Sequence, residues 1–468
     1  MSLTLSQDLS QLDFFAALPG VDSLADPSSF SDQPVALAVS GGADSIAMMH
    51  LFAQQRAQMP LAKGRHDFVF SVDHGVRKAA AAEVNFVLGE AEKLGFQSIG
   101  LSLPEALPDS SLQAEARAAR YQVMARAMRA HQLSLLMTAH TLDDQVETFL
   151  MRLRRGSGLE GLAAMRPCRR FPGAALSGAQ TSAPLWLLRP LLGVRKSALR
   201  AFLEENGLSW IDDPSNEDET FERVAVRRLV EAFDADGRFS AQVGRSVHRL
   251  GLAQSLVDEA VGRYLSEHVD FYKTGWGRAC MPAFQSLSVV VQVGVVQRLL
   301  WWFGRQAGFS KVEQALGQLE GLGTGRFALA GVMFHLDAQG DLVFCREVGR
   351  TALEVGQLSS TQPDLLWDQR IVLSLQGGGD ERLIVRAFTE REVEVILTHL
   401  VALPRRLALP FPQDVLRALA AVWRDEAEPR LIALPQLDDD GLRDVIFEAL
   451  SGVVLKESVK VAASPLKL

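Results

Sequence analysis

Cysteine is scarce in this chain. Its three cysteines, Cys168, Cys280 and Cys345, lie far apart and form no CxxC pair. That excludes a zinc ribbon or a disulfide framework as the source of stability, and a reducing cytoplasm becomes the expected setting. Long apolar runs are missing as well, since none approaches the ~18 residues that a membrane span needs. Met1–Gly20 contains Asp8 and Asp13 but no Lys or Arg, so it lacks the basic start of a secretory signal. Positive charge is in deficit, with 48 Lys+Arg against 56 Asp+Glu and a formal net charge of −8. This argues against a general nucleic-acid binder, although a local basic face remains compatible with it. There is no internal repeat, no GK[ST] after a glycine loop and no HExxH, so Walker A and zinc-protease chemistry are both excluded.

What is present is ordinary globular composition, 48% hydrophobic and 22% charged over 468 residues. At roughly 100–200 residues per domain the chain should hold two to four domains, each able to bury a core without staples. Residues 1–33 read as an extension with a short amphipathic helix that turns Leu9, Leu12, Phe15 and Leu18 to one side. Between Pro34 and Gly207, strands and helices alternate. Strands are expected at Val35–Val39, Phe68–Val72, Gln97–Leu101, Leu133–Thr138 and Leu185–Leu188. Helices are expected at Ala43–Gln55, Ala79–Leu94, Leu112–Ala130, Asp143–Arg154 and Lys196–Glu205.

This rhythm predicts an α/β fold with a parallel sheet covered on both faces. Right-handed crossovers bring the strand C-terminal ends to one edge, where ligands bind. Residues 34–217 form this expected domain. The Gly/Ala/Ser/Pro-rich stretch Arg169–Ala183 reads as an inserted loop. Residues 218–349 read as mainly helical, ending in a hairpin about Asp337–Asp341, and residues 350–468 as a small α+β domain.

The strongest motif is Ser40-Gly41-Gly42-Ala43-Asp44-Ser45, which leaves a strand and opens a helix. Two glycines permit a tight turn and close approach of the backbone. The N–H groups at the helix start then face a phosphate, helped by the helix dipole, and Ser40 and Ser45 add hydroxyl donors. Asp44 would repel a bare phosphate. A magnesium ion held jointly by carboxylate and phosphate resolves that conflict.

Further motifs fall on the same edge. Val72-Asp73-His74-Gly75 ends the second strand. Glu115-Ala-Arg117-Ala-Ala-Arg120-Tyr121 places two arginines on one helix face. Ala139-His140-Thr141-Leu142-Asp143-Asp144-Gln145-Val146-Glu147-Thr148 follows the fourth strand. A helix-dipole role accounts for one acidic residue in a first turn, but not for the whole cluster. Arg152-Leu-Arg154-Arg155-Gly156-Ser157-Gly158, Leu188-Arg189-Pro190-Leu191 and Asp212-Asp213-Pro214-Ser215-Asn216 come next in order.

The glycine loop resembles the SGGxDS loop of the N-type ATP-pyrophosphatase, or PP-loop, superfamily. The A-H-x-x-D-D-Q-x-E-T string resembles its tRNA-modifying branch, and R-G-S-G, R-P-L and D-x-S-N in that order resemble the tRNA(Ile)-lysidine synthetase family. The resemblance covers about Val35–Arg228. One departure stands at Val224, where the family often has Asn between retained arginines Arg223 and Arg227.

The resemblance implies a ligase that uses ATP and Mg2+. It would join L-lysine to C2 of the wobble cytidine of tRNA(Ile) with a CAU anticodon, through an adenylated tRNA, releasing AMP and pyrophosphate. ATP would be bound by Ser40, Gly41, Gly42, Ala43, Asp44, Ser45, Asp73 and His74, with Asp44 on the metal. Asp44, Arg120, His140 and Asp144 would be the catalytic group. Arg152, Arg154, Arg155, Arg223 and Arg227 would bind tRNA on one basic face, extended by Arg166, Arg169, Arg170, Arg195, Lys196, Arg200 and Arg228. A PP-loop tRNA thiolase and a non-catalytic RNA-binding protein remain the alternatives. Three scattered cysteines weigh against the first.

Overall fold

The structure is a computed structural model, and it describes residues 9, 12–15, 32–59, 61, 64–73, 80–103, 112–171, 185–212, 221–234, 236–272, 275–303, 307–320, 325–337, 339–347, 353, 355–359, 364–367, 371–376, 382–400, 412–424, 430–434, 446 and 460–465. The chain divides into two compact units, the first ending at Gln254 and the second beginning at Ser255.

The first unit is built on β1 (Ala36–Ala38), β2 (Phe68–Asp73), β3 (Gln97–Ser102), β4 (Leu135–Thr138), β5 (Cys168–Arg170) and β6 (Trp186–Leu188), in the order β3-β2-β1-β4-β6-β5. The first five of these neighbours are parallel, with Leu37 opposite both Val69 and Met137. Only β5 runs antiparallel, Arg169 facing Leu187. Strand order reverses between β1 and β4, so the loops after these two strands flank the crevice at the switch point.

The first unit's helices are α1 (Ala43–Gln58), α2 (Ala80–Lys93), α3 (Leu112–Ala130), α4 (Leu142–Arg154), α5 (Leu159–Leu162), α6 (Lys196–Glu205) and α7 (Phe221–Phe233), while α8 (Arg238–His268) begins in the first unit and ends in the second. On one face of the sheet α1 buries Ile46, Met49 and Phe52 against Leu37, Val69 and Met137. On the other, α3 buries Tyr121, Met124 and Met128 against Phe70, Leu136 and Leu187. Two-sided burial explains why the strands read as apolar runs without alternation. The end of α1 is tied to the sheet by Asp67. It accepts from Arg56 Nε at 2.7 Å and from Val35 N at 2.9 Å. With side chains only 11% and 4% exposed, loss of one partner would cost about 3–5 kcal/mol.

Several expectations change in detail. The expected N-terminal helix face is represented by Leu9, Leu12 and Phe15, which pack against the core, but Phe14 is the fully buried residue, edge-on to Phe52. Phe14 and Phe15 form a turn, and Leu18 lies outside the described residues. Arg169 and Arg170 belong to strand β5, not to a loop, because their backbone completes the sheet edge while their side chains stay exposed. Residues 172–183 lie outside the described residues.

In the second unit, the hairpin expected about Asp337–Asp341 is present as β10 (Val332–Leu336) against β11 (Leu342–Arg346). It is part of a five-stranded antiparallel sheet with β7 (Val269–Tyr272), β8 (Trp276–Ala279) and β9 (Arg326–Leu329). The stretch expected to be mainly helical therefore contributes three strands besides the hairpin. This sheet packs on α10 (Val289–Trp302) and α11 (Phe309–Glu320), which follow the short α9 (Met281–Gln285). Val295, Leu299, Phe303, Phe334 and Phe344 lie at the centre of that core. Beyond it, described strands form a four-stranded and a three-stranded sheet. No helix among the described residues is long and apolar enough to cross a membrane.

Candidate active site

The glycine loop leaves β1 and turns at Gly41, whose φ is +94°. A Cβ there would lie 2.9 Å from Ile211 Cδ1, and Ile211 N donates to Gly41 O at 2.9 Å. Only glycine fits a left-handed turn closed by a neighbouring chain in this way. Gly42 caps α1 with no side-chain hydrogen bond, so no side chain covers the N-cap of this 16-residue helix. Ser45 Oγ donates to Gly42 O at 2.9 Å and lies 3.3 Å from Ser40 Oγ. The two hydroxyls thus brace the loop from within.

Asp44, in the first turn of α1, is half-buried. Its pKa is pushed up to about 6, chiefly by burial and further by the carboxylates of Asp144 and Asp143, with Lys196 opposing. Lys196 Nζ stands 4.0 Å from Asp44 Oδ2 and donates to Asp144 Oδ1 at 3.0 Å. Its backbone N–H donates to Asp143 Oδ2 at 2.8 Å.

Asp144 is fixed by the start of α4. Thr141 N and Thr141 Oγ1 both donate to Asp144 Oδ2 at 2.8 Å, and Asp144 N returns a bond to Thr141 Oγ1, a capping box. Oδ1 is left for Lys196 and for Arg223, whose Nη2 lies at 3.3 Å. Burial alone would raise the Asp144 pKa, but Lys196 and the Thr141 N–H outweigh it and hold the carboxyl below its usual range. Lys196 is raised for the reciprocal reason, as Asp144 and Asp44 overcome its burial, and it remains an ammonium.

One helical turn on, Glu147 accepts from Arg223 Nε at 2.7 Å and Arg227 Nε at 3.0 Å. A continuous line of alternating charge therefore runs Asp44, Lys196, Asp144, Arg223, Glu147, Arg227. It joins the loop after β1 to the helix after β4.

His140 ends the strand edge between these groups. Its Nδ1 is 3.0 Å from Thr138 Oγ1. Burial, then the nearby Arg189, pulls its pKa down to about 4. It is a neutral imidazole at neutral pH and contributes a hydrogen bond, not a charge. Arg120 sits on α3, half-buried, with Nε enclosed and without a hydrogen-bond partner. Burial and Arg117 lower its pKa, so its immediate charged neighbour is another cation. Among the four expected catalytic residues, Asp44 and Asp144 share Lys196, His140 lies in the field of Asp144, and Arg120 belongs to a separate basic group.

The PP-loop domain family model matches residues 20–232. The tRNA(Ile)-lysidine synthase of Hyphomonas neptunium is 38% identical over 250 residues, covering 52% of this chain and 62% of the relative. That of Rhodopseudomonas palustris is 36% identical over 62% of this chain and 78% of the relative. That of Methylobacterium nodulans is 33% identical over 68% of this chain and 91% of the relative.

The chain belongs to the tRNA(Ile)-lysidine synthase family. Against the relative from H. neptunium the match spans less than two thirds of that protein's length. Every member of the charged line, from Asp44 to Arg227, falls inside the matched PP-loop domain of this family member.

The remaining expected residues divide. Asp73 ends β2 on the same edge, whereas His74 and Asp213–Asn216 lie outside the described residues. Arg154 and Arg155 are exposed at the end of α4. Arg152 turns inward, its Nη1 donating to Gly161 O at 2.9 Å and Ala164 O at 2.8 Å, so it closes the glycine-rich turn. Arg223 and Arg227, expected at RNA, have their Nε atoms on Glu147.

Lys196 and Glu147 are the site residues that sequence reasoning left out of the catalytic group. Glu147 was detectable, three residues after Asp144 on one helix. Lys196 was noted only as part of a basic run, with 52 residues separating it from Asp144. Cys168 is a poor nucleophile, its thiol pushed up to about 11 by burial. Cys280 and Cys345 belong to the other unit.

Proposed function

We propose that this chain is an AMP-forming ligase that joins L-lysine to C2 of the wobble cytidine of tRNA(Ile) with a CAU anticodon. ATP adenylates the C2 oxygen and pyrophosphate leaves. The neutral ε-amine of lysine then attacks C2, and AMP carries away the oxygen. A ring carbonyl oxygen is a poor leaving group and AMP a good one, which is why ATP must be spent first.

One observation supports this reading above the others. A phosphate-type loop on α1 is joined through Lys196 to a pinned carboxylate, Asp144, on the opposite side of a switch-point crevice. The backbone N–H groups after Gly41 suit the departing pyrophosphate. Asp144 already receives one ammonium, that of Lys196, so its negative charge suits drawing a second amine to its side. His140, neutral and anchored on Thr138, suits hydrogen bonding to a base edge.

Magnesium fits the donor set. Asp44 is a half-buried carboxylate beside the phosphate cradle, and the lone carboxylate plus phosphate oxygens is the usual magnesium provision. Asp44 would hold the ion, which would neutralise phosphate charge.

The test uses purified chain, ATP, labelled lysine and tRNA transcripts with a CAU or a control anticodon. ATP-dependent label in the CAU transcript alone is the expected result. Sulfur incorporation, or tRNA binding without any ATP turnover, would overturn the proposal.

A further inference from the structure

On the far side of His140 the cations are arranged differently from those already described. Lys196, Arg223 and Arg227 all rest on carboxylates. Arg117, Arg169 and Arg189 make no ion pair with any described carboxylate, yet they converge on the hydroxyl end of Tyr121. Arg117 Nη2 donates to Tyr121 Oη at 3.2 Å, and its guanidinium lies 5.4 Å from the ring centroid. Arg189 lies in the field of the same Tyr121 hydroxyl, and its strongest cationic neighbours are Arg169 and Arg117.

Arg189 is 3% exposed. One donor, Nη1, is spent on Arg166 O at 2.8 Å, but its Nε is enclosed and has no partner. Burying a guanidinium beside two others is costly unless an anion completes the set. Burial and these like charges draw Arg189 down to about 10.

We propose that Arg117, Arg169 and Arg189, organised by Tyr121, form a subsite for a phosphodiester of the tRNA backbone next to the reacting nucleoside. The proposal rests on the tRNA-modifying function above. Position favours RNA over the phosphates of ATP. Arg189 follows β6, two strands along the edge from β1, or about 10 Å from the glycine loop at the usual strand spacing. Arg169 is on β5, one strand further out. Arg117 and Arg169 are exposed, so the subsite opens to solvent while its floor, Arg189, is buried. Guanidinium groups matched to phosphate oxygens are the usual means of fixing a nucleic-acid backbone. Tyr121 acts as a positioning residue, its hydroxyl fixing the Arg117 guanidinium.

The experiment measures binding of a CAU-anticodon tRNA transcript to the full chain across a salt series, and binding of an ATP analogue in parallel. Arg117→Gln and Arg169→Gln alter exposed side chains and should leave melting unchanged. Each is expected to weaken tRNA binding several-fold and to lower the slope of log K against log salt by about one, the signature of one lost phosphate contact. Affinity for the ATP analogue should not move. Tyr121→Phe should weaken tRNA binding while keeping the ring packing on Phe171.

Unchanged salt slopes in both arginine variants, with lysine transfer by the wild type intact, would overturn the subsite and leave the functional reading standing. A loss of ATP-analogue affinity in place of tRNA affinity would reassign the cluster to the nucleotide and also overturn it. A wild-type chain with no salt-dependent tRNA binding overturns both.

Discussion

Replacing Asp44 with asparagine should make the protein more stable while removing its activity. Burial raises the Asp44 carboxyl from 3.8 to about 6. A carboxyl with a raised folded pKa favours the fold fully below pH ~3.8 and loses that contribution as pH rises through ~6. Above that, the charged Asp44 is a liability of 6 − 3.8 ≈ 2.2 pH units, about 3 kcal/mol at about 1.4 kcal/mol per unit. Asparagine forfeits the favourable dipole of the first helical turn, about 0.3–1 kcal/mol. Asp44 is also 27% exposed, which softens the penalty.

The expected net gain is therefore about 2 kcal/mol near pH 8, or about 4–8 °C in melting temperature for a unit of this size. Calorimetry without nucleotide or magnesium, on wild type and Asp44→Asn at several pH values, measures it. The gain should shrink steadily as the pH falls and be nearly gone at about pH 4. A variant less stable than wild type near pH 8, or a gain independent of pH, would refute the assignment of a strained, desolvated carboxylate at this position.

Three further outcomes are expected. Lys196→Met leaves Asp144 and Asp44 without their shared ammonium and should cost about 3 kcal/mol in urea unfolding, with loss of lysine transfer; unchanged stability would contradict the charged line described here. Gly41→Ala meets both a positive φ and Ile211, and should lower stability by about 1–2 kcal/mol and abolish ATP-analogue binding. His140, drawn down to about 4, favours the fold above its unfolded value near 6.5 and loses that contribution as pH falls toward 4; its imidazole signals in NMR should therefore show no titration between about pH 5 and 8.

The parallel half of the first unit was legible because each βα unit carries its own local signals: an apolar run, a turn residue, then an amphipathic stretch. Leu112–Ala130 and Lys196–Glu205 form at the expected bounds. Strand β5 was not legible, since Cys168–Arg170 is three residues long and two of them are exposed arginines. Its strand character comes from backbone pairing with β6 alone. The β7–β8 pair has only four residues per strand and follows a 31-residue helix without a breaker in sequence. At the site, Asp44, His140 and Asp144 were visible as motif residues. Lys196 was not, because what makes it a site residue is a tertiary contact.

The proposed adenylation is tested most directly with ATP labelled at its α-phosphate, CAU-anticodon tRNA and no lysine. The wild type should release pyrophosphate and transfer labelled AMP to the tRNA, while Asp44→Asn should still bind tRNA but transfer none. Equal AMP transfer by wild type and Asp44→Asn would contradict the account.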